Sequence, residues 1–438
     1  MINACFARLR HERGAVLVHV TVAIIGLLAF SALVVDYGVM WSARRQAQNS
    51  ADAAALGGAI SMAYKAPGSY DTARAVAQKV GAENRVFGVS PNIDLGSGDS
   101  ADVTQDISFP PCPPGSPAEG EDNCVRVNVY RNATKDALPT FFARLFGMLS
   151  QGVRASATAE IIAGNSSDCI KPWAVSDRWD DTTPNPGPPV TAGGIQNPAW
   201  DPDWNTDSTW DPAAGDLYVP PSSTNPGTGF RIYDANGQLC CDYGLVLPLK
   251  QGTANAFWYQ EIDFHEGNSS AIYRAAIAGC HTGTIGETVS VKPGTSHGPT
   301  DQGVDDLIAQ DPQAVWYNPN PDPSKPWLDT YNPNGVSIPS TVADMCPTGC
   351  VYSPTTGINS SPRIGAITVM SPAELLTCSN CDITVRNILG FFIDRPASGN
   401  GNNQVVWGRL VKIPGKYKTT GTTVEDTGSF LKTIILVR

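Results

Sequence analysis

From Ala15 to Val35 the chain runs AVLVHVTVAIIGLLAFSALVV, with no Asp, Glu, Lys or Arg. At 1.5 Å per residue this is about 31 Å of helix, long enough to cross a bilayer. Beyond it, Ala47, Ala51, Ala55 and Ala59 recur every fourth residue among good helix formers, so the helix is expected to continue to about Ser61. These four alanines form one small-residue ridge that permits close backbone approach, to a partner helix or to the chain's own sheet. A second helix is predicted from Tyr70 to Asn84, with Ser69 as N-cap and Ala73, Val76, Ala77 and Val80 on one face. The apolar period then changes to two. Val125 to Tyr130 and Val153 to Ile161 read as half-buried strands, with Pro139 in the first turn of a helix between them.

From Gly164 the texture turns to Pro, Gly, Asn, Asp and Trp, interrupted by the apolar runs 244–248, 364–370, 383–393 and 405–413. This predicts a second, β-rich domain. The fold class is α+β: one transmembrane helix continuing into an exported α/β segment, then a β-rich, disulfide-containing C-terminal domain. The boundaries read as a tail to residue 14, an anchor over 15–35, an Ala-rich helix over 36–62, an α+β domain over 63–163 and the loop-rich domain over 164–438.

Composition supports a loop-rich body, since the 438 residues include 42 Gly and 35 Pro and only 16% are charged. A formal charge of −11 with no Lys/Arg cluster argues against a nucleic-acid partner. Of the 11 cysteines, Cys5 precedes the apolar run and the others follow it. That split suits an oxidising compartment for the body. Arg8, Arg10 and Arg13 upstream against Arg44 and Arg45 downstream agree with a cytoplasmic N-terminus. The topology expected is a single-pass protein of a bacterial inner membrane, with a retained anchor and a periplasmic body. His19 lies within the apolar run near its cytoplasmic edge and can be neutral there.

The segment Asp36-Tyr-Gly followed by Gln48-Asn-Ser-Ala-Asp-Ala-Ala-Ala-Leu56, after Arg13-Gly14 and the apolar span, resembles the N-terminal module of TadG-like Flp (Tad) pilus assembly proteins. Weaker similarity continues through Val125–Val129, Phe141–Gly147 and Val153–Ala159. The resemblance implies that the span ends in an Asp-x-Gly turn. It further implies a non-catalytic envelope protein of Flp pilus biogenesis or secretion, contacting pilus subunits or channel components, with self-association through the N-terminal helix as a further expectation. At the fifth position after Gly14, where related pseudopilins carry Glu, this chain has His19, which argues against prepilin-peptidase processing.

Other chemistry is weighed against this reading. Asp201, Asp203, Asn205 and Asp207 alternate oxygen-bearing side chains as calcium loops do, but Thr206 and Pro212 break the EF-hand pattern. Calcium bound there, with Trp200, Trp204 and Trp210 nearby, opens an alternative reading as a tethered adhesin recognising a glycan or surface. Cys112 and Cys124 flank a Pro/Gly/acid loop that a local disulfide would close. Cys346/Cys350 and Cys378/Cys381 are further disulfide candidates, with a four-cysteine metal site as the competing reading. Gly294-Thr-Ser296-His-Gly298 fits a nucleophile elbow, yet Pro299 and the lack of a nominated base disfavour a hydrolase.

Overall fold

The structure is a computed structural model. It describes residues 2–64, 70–96, 102–180, 191–192, 195–196, 210–233, 242–251, 258–267, 269–321, 328–377, 381–399 and 404–437. The chain divides into two compact units, one of Met1–Met62, Tyr70–Glu160 and Ile434–Arg438, the other of Ala63–Ser69 and Ile161–Thr433.

In the first unit, helix α1 (Ile2–Tyr64) runs unbroken through the apolar segment, and α2 (Tyr70–Glu83) follows. The implied Asp-x-Gly turn does not form: Asp36, Tyr37 and Gly38 are helical, because the residues on both sides of them are good helix formers. Strands β1 (Ile107–Ser108), β2 (Cys124–Arg131), β3 (Leu138–Pro139), β4 (Ser150–Gln151) and β5 (Val153–Ala163) come next. β2 pairs antiparallel with β5 in the register Val127↔Ala157, and β1 caps the outer edge of β2. The alternation of β5 is realised, with Val153, Ala155, Ala157 and Ala159 buried.

The helix expected after Pro139 is replaced by a short β3–β4 pair, Pro139 opposite Ser150, and a single 3-10 turn over Ala143–Phe146. Gly147, at φ +83°, closes that turn before a second one can form. A disulfide joins Cys112 to Cys124 across the Pro/Gly loop.

The second unit contains β6 (Ser166–Ser176), β7 (Thr191–Ala192), β8 (Ile195–Gln196), β9 (Val246–Gln251), β10 (Trp258–Asp263), α3 (Ser270–Ala278), β11 (His281–Thr284), β12 (Thr288–Val291) and α4 (His297–Gln310). After these come β13 (Val315–Tyr317), α5 (Ser340–Met345), β14 (Cys350–Ser353), β15 (Gly357–Ile358), β16 (Ile364–Met370), α6 (Pro372–Thr377), β17 (Asp382–Thr384), β18 (Asn387–Ser398), β19 (Val405–Val411), β20 (Ile413–Pro414) and β21 (Leu431–Val437), whose residues from Ile434 on belong to the first unit. Its main sheet runs β11-β6-β16-β18-β19-β9-β10-β12-β17, and an added β6–β10 pairing closes β6, β16, β18, β19, β9 and β10 into a barrel. Closure removes the free edges of these strands. Trp173, Tyr259 and Phe391, all at most 1% exposed, meet edge-on at 5.9 and 6.3 Å within its core. Helices α3 and α4 are joined by the two-pronged Arg274–Asp306 pair.

Buried lysine is a cost of this packing. The ammonium of Lys412 lies 3.3 Å from the Tyr233 hydroxyl and near the ring of Tyr243. Burial, reinforced by neighbouring Lys432 and opposed by Asp426, pushes it from 10.5 down to about 7. Because the folded value is the lower one, the unfolded chain binds more protons between those limits, so stability rises with pH across that window. At neutral pH the penalty is roughly 3–5 kcal/mol. Urea unfolding at pH 7 and pH 10 should therefore show the Lys412→Met variant more stable than wild type at pH 7, with the gap closing at pH 10.

Candidate membrane-proximal site

Asp36 is the first acidic residue after the span, and its side chain is buried. Its Oδ1 accepts the N–H of Phe141 at 2.8 Å, and its Oδ2 accepts those of Phe142 at 3.0 Å and Ala143 at 2.6 Å. These amides open the 3-10 turn and have no acceptor within it, and Phe142 at the cap position supplies no side-chain bond. A carboxylate more than 100 residues away in sequence therefore caps the turn. Gln151 donates to the Asp36 carbonyl at 3.3 Å, and the Met148 N–H returns to the Ala143 carbonyl at 3.1 Å. Loop 140–149 is thus fastened to the point where α1 leaves its apolar run.

Burial pushes the Asp36 carboxyl up, and the three amide donors more than offset this, holding it below its usual value of 3.8. A depressed folded value means that the clamp is fully formed above that pH and is lost as pH falls through the lower, folded value. Asp36→Ala should abolish hydrogen-exchange protection at Phe141, Phe142 and Ala143 while leaving that of β2 and β5 intact. Unchanged protection at the three amides would falsify the capping role.

Further along α1, Ala47, Ala51, Ala55 and Ala59 are completely buried within the chain itself. The close approach is made to α2 and the chain's own sheet: a Cβ on Gly58 would lie 2.9 Å from Val125 and 3.3 Å from Ala77, and the Ser50 hydroxyl bonds the Gly81 carbonyl. The ridge that a partner helix would need is covered. The adjoining flank of the helix borders an open groove of about 740 Å³, lined by Gln48, Asp52, Arg126, Ser156, Thr158 and Leu436 among others. Gln48 bridges Asp52 at 2.7 Å and the Ser156 carbonyl at 3.1 Å. Arg126 keeps its Nε buried without a partner among the described residues.

The remaining sequence candidates are placed elsewhere. Asp201, Asp203, Asn205 and Asp207, with Trp200 and Trp204, lie outside the described residues. Trp210 is buried edge-on against Trp179 at 5.8 Å, which removes it from any exposed sugar platform. Cys346 and Cys350 form a disulfide with each other, so they cannot serve as thiolate ligands of a four-cysteine metal site. Cys381 is also disulfide-bonded, Cys378 lies outside the described residues, and a further disulfide joins Cys169 to Cys280. Among the described residues no group of three or more His, Cys, Asp or Glu side chains is placed to hold a metal ion.

Ser296 does sit between a strand and a helix, β12 and α4, but its hydroxyl is buried against the ammonium of Lys292. Glu261 pairs with that lysine at 2.8 Å and accepts the Ser296 N–H at 2.7 Å. The neighbouring His297 ring engages Gln404 instead. This arrangement fastens the start of α4 to β10.

The fold has a helix long and apolar enough to cross a membrane, continuing into a small α+β unit whose loop 140–149 it holds through Asp36. Residues 14–62 match the family described as Flp pilus-assembly TadE/G-like, and residues 41–159 match the family described as Tad-like Flp pilus-assembly. These residues, about a third of the chain, are similar to Tad pilus-assembly domains, and those domains support a role in Flp/Tad pilus biogenesis. No curated protein and no solved structure matches the chain. The second match ends at residue 159, one residue before the end of the first unit's long segment at Glu160.

Proposed function

We propose that this chain is a non-catalytic, membrane-anchored assembly component, with its N-terminus in the cytoplasm, its body on the oxidising side of the inner membrane, and pilus or secretion subunits as its partners. The observation that carries the reading is the coincidence of the family match with the helix and the groove-bearing unit. The three described disulfides, all C-terminal to the span, support the orientation. The groove is the contact surface favoured for a partner polypeptide, because it is open and lined by Arg126, the polar Gln48, Asp52, Ser156 and Thr158, and the exposed apolar Leu436.

The test is affinity isolation of a C-terminally tagged full-length chain from gently solubilised membranes, with mass spectrometry of what co-purifies. Enrichment of pilus or secretion subunits, lost in Arg126→Glu with the chain still in the membrane fraction, is the result expected. Isolation without such subunits but with bound glycan or calcium would replace the assembly reading by the adhesin one.

A further inference from the structure

Four large apolar side chains in the loop fastened by Asp36 face solvent: Phe141 at 52%, Phe142 at 42%, Met148 at 58% and Leu149 at 69% exposure. A loop of ten residues does not ordinarily leave so much apolar surface uncovered. Its position is fixed, because the backbone amides of Phe141 to Ala143 lie within 3.0 Å of the Asp36 carboxylate. Asp36 directly follows Val35, the last residue of the apolar run, whose side chains are themselves exposed. Tyr37 and Trp41, on the first turns beyond the span, are exposed as well, and Arg45 stacks over the Trp41 ring at 4.6 Å. Aromatic residues next to a span, with arginine beside them, have the composition of a membrane–water boundary.

We propose that this loop is a second membrane contact, with Phe141, Phe142, Met148 and Leu149 entering the headgroup–acyl boundary of the same bilayer that α1 crosses. The proposal rests on the anchoring reading of α1 and adds to it a site that the span alone does not require. Lipid is the occupant that the geometry favours, because the exposed loop surface is continuous with the apolar span and lies at the level where the span ends. Exposed Arg144 in the same loop, with Arg44 and Arg45 on the helix, supplies cations at the depth of lipid phosphates. The Asp36 clamp has a clear purpose in this arrangement: it buries a carboxylate at that depth and orders the loop before insertion, so that less ordering entropy is lost on contact.

The experiment places the full-length chain in vesicles of phosphatidylethanolamine and phosphatidylglycerol doped with a diazirine-bearing phospholipid, and maps lipid adducts by mass spectrometry after illumination. Adducts are expected on the span and on the peptide containing residues 141–149. In the double variant Phe141→Asp, Leu149→Asp the loop adducts should fall to background while span labelling and the thermal midpoint stay unchanged, since both side chains are exposed in the fold. Labelling of the span without the loop overturns the proposal and assigns the apolar surface to a protein partner. Loop adducts that persist in the double variant also overturn it. Absence of adducts on the span itself overturns the anchoring reading instead.

Discussion

Gly390→Ala is expected to unfold the second unit. Gly390 lies in the middle of β18, opposite Val411 of β19, and a Cβ added there would stand 2.0 Å from the Val411 carbonyl oxygen and 2.8 Å from the Ile413 side chain. The first obstacle is backbone, held in the β18–β19 ladder, and no rotamer change relieves it. In an open sheet the outer strand could drift, but the β6–β10 pairing closes this barrel, so displacement at one seam is resisted at the others. Overpacking of this severity belongs to the upper range for point substitutions, above about 3 kcal/mol. Gly298→Ala is the control, because a Cβ there meets nothing within 4 Å and lies in helix α4, where alanine is favoured over glycine by about 1 kcal/mol. Urea unfolding followed by tryptophan fluorescence separates the two. A Gly390→Ala variant as stable as wild type would show that the ladder is far softer than its packing implies.

The second large effect concerns Cys169 and Cys280, bonded across 111 residues at the place where Ile170 of β6 pairs with His281 of β11. Cross-linking so long a loop restricts the unfolded chain strongly, and removing such a bond costs about 2–5 kcal/mol. Cys169→Ala/Cys280→Ala should therefore lower the unfolding midpoint of the barrel unit well below that of Cys346→Ala/Cys350→Ala, whose bond closes a separation of only four residues. Comparing the two double variants under oxidising conditions isolates loop length from the loss of thiols. Equal midpoints would contradict the loop-entropy account.

The sequence patterns that carried furthest were those whose structural cause is local. The charge-free run 15–35, the four-residue spacing of alanines and the two-residue alternation of Val153 to Ile161 each report one face of one element, and those faces appear in α1 and β5. Pro139 misled because its fit to a helix start was judged without Asp36, which captures the three following amides from outside the local sequence. Barrel closure was not legible for a similar reason: nothing in Ser166–Ser176 or Trp258–Asp263 states that those two strands will meet. The glycines at 390 and 408 fall inside the apolar runs 383–393 and 405–413, but why glycine stands there was not legible: a neighbouring carbonyl or the Phe391 ring needs the space. For the site, the identity of Asp36 was visible but its partners were not, and the apolar loop was read as part of a helix between two strands.

The uninterrupted α1 has a mechanical meaning. Its 63 residues amount to about 95 Å of rigid rod, and no proline or non-helical residue separates the apolar run from the part embedded in the first unit. With its apolar run across a bilayer, as proposed, such a rod is a lever with no joint at the membrane surface. A change in the tilt of the span must swing the first unit through the same angle, and a pull on that unit must load the span directly.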